Sequence, residues 1–192
     1  DDGEEAWLTD DEIAGVARLL GSAGSETVTK LVGNGTVLFH RNRGQWEKVL
    51  ADPALIPRAV EEIVRYWPPV SYSGRQALAD VEFKAGTVPA GSRVLLVTGA
   101  ATRDPLRFDN PDEFDIERNQ HRQIGFGFGA HVCIGAHLAR LESRIAFEEI
   151  RRRWPNFEVD EPGLRRVHMT NVSGYENVPV STGTRRALAG RA

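Results

Sequence analysis

The 192-residue sequence predicts one α+β domain, mainly helical with small antiparallel β-sheets. Three observations carry that prediction. A long stretch near the amino end repeats apolar residues at helical spacing. A middle segment alternates apolar and polar residues between turn signals. A second helical stretch follows a glycine-rich loop.

The first helix is expected over residues 10–40, with Thr9 or Asp10 as N-cap and Glu12 in the first turn. Ile13, Val16, Leu19 and Leu20 keep helical spacing, and Leu31, Val37, Leu38 and Phe39 continue it more loosely. Glycines at 21, 24, 33 and 35 interrupt it, each at about 1 kcal/mol against alanine. Such a helix needs close packing or contact along its length. A short helix over 45–50 precedes one over 57–67, where Pro57 suits the first turn and Pro68–Pro69 stop the chain. Residues 70–100 read as a small sheet, with turns at Ala85–Gly86 and Pro89–Gly91. Residues 102–124 form a polar coil with two prolines, and coils this long are functional or clamped by side chains. A cysteine loop covers 125–135, and a helix over 136–153 carries Leu138, Leu141 and Ile145 at steps of three and four. The runs 157–159 and 178–180 read as short strands.

Composition narrows the function classes. With 41% hydrophobic and 27% charged residues and a net charge of −3, the chain has no electrostatic footprint for nucleic acid. Arg151–Arg153 read as a solvated helix face. One cysteine forms no internal disulfide, no apolar run is long enough to span a bilayer, and "DDGEE" is unlike a signal peptide, so a cytoplasmic location is expected. Met169 is the sole methionine, which leads us to expect a processed chain or a piece of a longer one.

The sole cysteine, Cys133, lies in "GFGFGAHVCIGAHLAR", residues 125–140. A dinucleotide turn over Gly125, Gly127 and Ala130 would need a buried strand before it, and "RNQHRQI" is not one. A zinc or cluster site lacks further cysteines. Two readings stay open on the residues alone. Cys133 is a buried small hydrophobe, or it is a thiolate favoured by a helix start and suited to be an axial ligand of haem iron. On the second reading, glycines at 127, 129 and 135 let backbone pass beneath a flat macrocycle, and Phe126 packs on the ring and shields the sulfur.

The pattern Phe126–x–x–Gly129–x–His131–x–Cys133–x–Gly135 resembles the haem-binding signature of the cytochrome P-450 family, the haem-thiolate monooxygenases. The likeness continues through "AHLARLE", as in the family's bacterial soluble branch. Glu62–x–x–Arg65 resembles its E-x-x-R element, and Arg118 in "FDIERN" the arginine of its long coil. Ala23–Gly24–Ser25–Glu26–Thr27 is similar to its oxygen-activation segment, with Val28 where many relatives carry a second hydroxyl. The resemblance covers essentially the whole chain but only the carboxyl-terminal half of the family.

Several things follow from the resemblance. The fold is the carboxyl-terminal half of the cytochrome P-450 fold, and the cofactor is haem b with Cys133 as axial thiolate and sole metal ligand. Arg75 and His131 bind propionates, while Phe126, Gly127, Gly135, Ala139, Ala23 and Gly24 lie against the haem. Thr27 and Glu26 deliver protons, the Thr27 hydroxyl bonding to the carbonyl four residues back and opening a groove that Gly24 keeps clear. Glu62, Arg65 and Arg118 form a structural triad. Residues 69–74 and 173–176 line the substrate pocket.

The implied reaction inserts one oxygen atom of O2 into a small organic substrate. Electrons come from a separate redox partner, of ferredoxin or flavin reductase type. The alternative is a truncated, non-catalytic relative acting as a binding or scaffold module. Without the family's earlier helices, the first helix is expected to expose an apolar face, to self-associate or dock the missing half, and to retain haem weakly.

Overall fold

The computed structural model describes residues 7–119, 123–167 and 171–182. Helix α1 spans Asp10–Arg41 and Thr9 is its N-cap. The Thr9 hydroxyl accepts from the Glu12 amide, and the Glu12 carboxylate accepts from the Thr9 amide at 2.8 Å. The bond from the Thr9 amide, foremost, and one that the Thr9 hydroxyl donates to the same carboxylate at 2.9 Å hold the Glu12 carboxyl below its ordinary value. Only the carboxyl third of α1 is buried, from Leu31 and then Asn34 to Phe39. Ile13, Val16, Leu19 and Leu20 are all exposed. Their helical spacing marks an apolar face, but that face meets no core among the described residues.

The buried third of α1 packs on α3 (Ile56–Tyr66) and α5 (Ala136–Arg153). Gly35 makes that approach possible, since a Cβ there would lie 2.5 Å from Phe147 and 2.6 Å from Ile63. The same demand is absent at Gly21 and Gly24, where nothing lies within 4 Å. Helix α2 (Arg43–Ala51) buries Trp46 and Val49, and the Trp46 indole donates to the Pro155 carbonyl at 2.8 Å. Phe39 sits at the centre, with ring centroids of Trp46, Phe114 and Phe147 at 4.9, 5.7 and 5.5 Å. These offset and edge-on contacts are the favoured aromatic geometries.

Residues 70–100 resolve into two separate ribbons and a helix rather than one sheet. Strand β1 (Ser73–Gln76) pairs antiparallel with β4 (Arg93–Leu96), and β2 (Val81–Phe83) with β3 (Gly86–Val88). The short helix α4 (Thr98–Ala101) follows, because "TGAA" offers no alternating face for a strand. Strand β5 (Glu158–Val159) pairs with β8 (Val180–Ser181), and β6 (Arg165–Arg166) with β7 (Tyr175–Asn177).

Between α4 and residue 119 the coil has no ladder, and side chains hold it instead. Arg65 donates to the carbonyls of Thr102, Pro111 and Glu113, and Arg103 to that of Tyr66. Phe114 and Ile116 anchor the same coil in the core. No helix among the described residues is long and apolar enough to cross a membrane.

Candidate functional site

On α1 the Thr27 hydroxyl donates to the Ala23 carbonyl at 2.9 Å, four residues back. That bond fixes the hydroxyl against the helix wall and leaves its oxygen free to accept. Val28 and, one turn on, Leu31 carry this wall into an apolar cavity of about 660 Å³. Thr27, Arg75, Phe126, Gly127, His131, Cys133 and Ala139 all line that cavity. Ala23, Gly24, Glu26 and Gly135 do not. Gly24 has open space around it, and Gly135 approaches the Cys133 sulfur, which would lie 3.9 Å from a Cβ there.

The cysteine loop is built from its own backbone. The Cys133 amide donates to the Phe126 carbonyl at 2.7 Å, the Gly127 amide to Ile124 at 2.8 Å, and the Val132 amide to Gly129 at 3.1 Å. Gly127 has φ +82°, and a Cβ there would sit 2.7 Å from the His131 carbonyl oxygen. Its glycine is therefore demanded by the loop itself, whatever lies above it. Cys133 is exposed, so it is not a buried small hydrophobe. Helix α5 begins three residues later, with Gly135 as N-cap.

Arg75 lies on β1 at the cavity rim, and among the described residues its one hydrogen bond is to the Gly74 carbonyl at 2.7 Å. Its remaining donors are available to an anion, as are those of the exposed His131. The residues fit a haem on the chemistry of this donor set. A single thiolate cannot enclose a bare ion, but it suits iron already held in a macrocycle. The apolar walls, the Arg75 guanidinium and the His131 imidazole on the lining suit a flat apolar ring bearing carboxylates.

Glu62, Arg65 and Arg118 do not line the cavity. Arg65 meets Glu62 through two bonds of 2.7 and 2.8 Å, with both side chains fully buried, and Arg118 reaches Glu62 at 3.4 Å. Arg118 also donates to the carbonyls of Asp109, Asn110 and Glu113.

Part of the expected substrate lining is corrected. Pro69, Val70 and Ser73 face the cavity, but Ser173–Glu176 do not. Ser173 instead accepts from the Trp67 indole and donates its amide to Pro69, and Tyr175 is buried against Trp67. This segment backs the wall rather than forming it. Conversely Leu95, Leu96 and Val97 line the cavity while 64, 47 and 52% exposed. The signal for them was the unbroken apolar run Val94–Val97, where alternation fails.

The model of the family "Cytochrome P-450" matches residues 35–173. The chain is 42% identical over 161 residues to cytochrome P-450-terp of a Pseudomonas species, covering 84% of this chain and 37% of that protein. It is 38% identical over 181 residues to a steroid C26-monooxygenase of Mycobacterium tuberculosis, covering 93% of this chain and 48% of that one. The crystal structure of CYP109E1 from Bacillus megaterium in complex with corticosterone superposes with a TM-score of 0.88 at 32% identity, covering 95% of this chain and 49% of that one. The chain thus spans less than half the length of these relatives.

Proposed function

The chain belongs to the cytochrome P-450 family, and from that premise we propose that it is the haem-carrying part of a haem-thiolate monooxygenase. One observation carries the proposal: Thr27 and Cys133, 106 positions apart, line the same cavity. When bound there, haem would supply the activation of O2 by which one oxygen atom enters a substrate.

Each residue has a part that its position supports. Cys133 would hold the haem iron through its sulfur, and Phe126, whose carbonyl accepts from the Cys133 amide, would shield that sulfur. Arg75 and His131, both on the lining, would bind the carboxylates of the ring. The Thr27 hydroxyl, fixed on the Ala23 carbonyl, orders proton delivery, with Glu26 as the neighbouring carboxyl. Gly127 and Ala139 on the lining leave room for the ring, and on the family resemblance Gly135, Ala23 and Gly24 would lie against it. Glu62, Arg65 and Arg118 hold the coil and leave the chemistry to others. The lining of Val28, Leu31, Val70 and Leu96 suits a hydrophobic substrate, the class named for the steroid-directed relatives. The family resemblance supports a separate electron donor of ferredoxin or flavin reductase type.

A second reading, a non-catalytic binding module, is favoured by the exposed apolar residues of α1. The reduced, CO-treated visible spectrum of the haem-loaded chain separates the two. Thiolate ligation gives a Soret band far to the red of histidine ligation, and Cys133→Ala abolishes it. A variant that keeps that band overturns the ligand assignment, and a haem-loaded wild-type chain that shows no such band favours the binding module.

A further inference from the structure

Glu61 precedes the triad glutamate on α3 but faces another way. Its carboxylate accepts from the Arg140 guanidinium of α5, through Nε and through Nη2, the latter at 3.2 Å. It also accepts from the Gln123 side-chain amide at 2.8 Å. The other end of Gln123 accepts from the Gly125 amide at 2.7 Å. Arg140 in turn lies over the Phe126 ring, 4.4 Å from its centroid. The carbonyl of that same Phe126 receives the Cys133 amide. One carboxylate therefore reaches the cysteine loop by two routes, through Gln123 to its start and through Arg140 to Phe126.

We propose that Glu61 is a positioning residue for the Cys133 loop: by clamping Gln123 and Arg140 together, it fixes Phe126 and hence the sulfur against α3. The physical basis is preorganisation. The loop has no strand partner, and contacts from outside add to its own backbone hydrogen bonds in restraining the freedom that Gly127 and Gly129 bring. Bonds to a charged acceptor are the strong kind, and a cation on an aromatic face adds to them. The bond to Glu61 is also the foremost cause holding the Arg140 guanidinium above its ordinary value, with Cys133 a lesser contributor. Its neighbour Glu62 serves the coil, so two adjacent carboxylates on α3 hold two different segments.

The inference rests on Cys133 as the ligand only for its second readout. Amide hydrogen exchange on the full chain without haem is the first. Glu61→Ala is expected to speed exchange in residues 123–133 about tenfold, the scale of one lost charged hydrogen bond, with Ile63–Arg65 unchanged. Glu61→Gln, which keeps an acceptor for Gln123, restores part of the protection. After haem loading, the share of the red-shifted CO band falls in Glu61→Ala and recovers in Glu61→Gln, a signature that general loosening would not rescue. Unchanged exchange in 123–133, or loss in step with Ile63–Arg65, overturns the proposal. If the exchange pattern holds while the wild type shows no thiolate band, the ligand reading fails and the positioning role stands.

Discussion

Two parallel hydrogen bonds of 2.7 and 2.8 Å join the Arg65 guanidinium to the Glu62 carboxylate, with neither side chain reaching solvent. The pair is not an exposed i,i+3 ion pair on a helix, although its spacing alone would allow one. Arg65 spends its remaining donors on three carbonyls of the coil, and the Asp115 amide donates to Glu62 at 3.0 Å.

Removing one partner strands a buried charge. Glu62→Ala is expected to cost about 3–5 kcal/mol and to yield insoluble or haem-free protein. Thermal melting and haem content check it. A soluble, haem-loaded variant of normal melting temperature would refute the structural role.

Thr27→Ala removes a hydroxyl that the fold does not need, since Thr27 lies in the part of α1 outside the core. Haem content and substrate binding should stay near wild type, while reducing equivalents divert to peroxide in haem-loaded protein supplied with a reductase. The measurement is product formed per electron consumed. Unchanged coupling would count against proton delivery by Thr27.

Acid should weaken the Arg41–Glu161 contact that ties the end of α1 to the turn after β5. Arg41 donates to Glu161 at 2.8 and 2.6 Å, and this bond is the main cause pulling the Glu161 carboxyl below its ordinary value of 4.5. A depressed folded value gives stability that is present above the unfolded value and lost as pH falls through the folded one. Glu149 behaves alike, pulled down to about 2 first by Arg152 and then by Arg153. The melting-temperature gap between wild type and Glu161→Gln should therefore be present at neutral pH and close as pH falls below about 4.5. A gap that persists in strong acid would show that the effect is not the ion pair. Both contacts are exposed, so the gap is small.

The apolar residues of α1 should drive the isolated chain to self-associate. Ile13, Val16, Leu19 and Leu20 are between 47 and 65% exposed, and Leu138, Leu141 and Ile145 are similarly exposed on α5. Sedimentation of the purified chain tests this, with Val16→Glu and Leu20→Glu expected to shift it towards monomer. A wild-type monomer that binds haem stoichiometrically would show that neither face needs cover.

The sequence by itself determined what lies within a few residues. Helical period places Glu62 and Arg65 on one face and brings the Thr27 hydroxyl to the Ala23 carbonyl, because an α-helix fixes those distances whatever surrounds it. The motif around Cys133 and the family it resembles were legible for the same reason, since loop and helix start are contiguous in the chain. Tertiary structure alone decided which third of α1 is core, that β5 pairs with β8 across 21 residues, and that Ser173–Glu176 back the cavity while Leu95–Val97 line it. It also set Glu61 against Arg140, 79 positions away, and Cys133 in one cavity with Thr27. Periodicity reports which residues share a face; what that face meets depends on the path of the chain between distant segments, and local spacing does not encode that path.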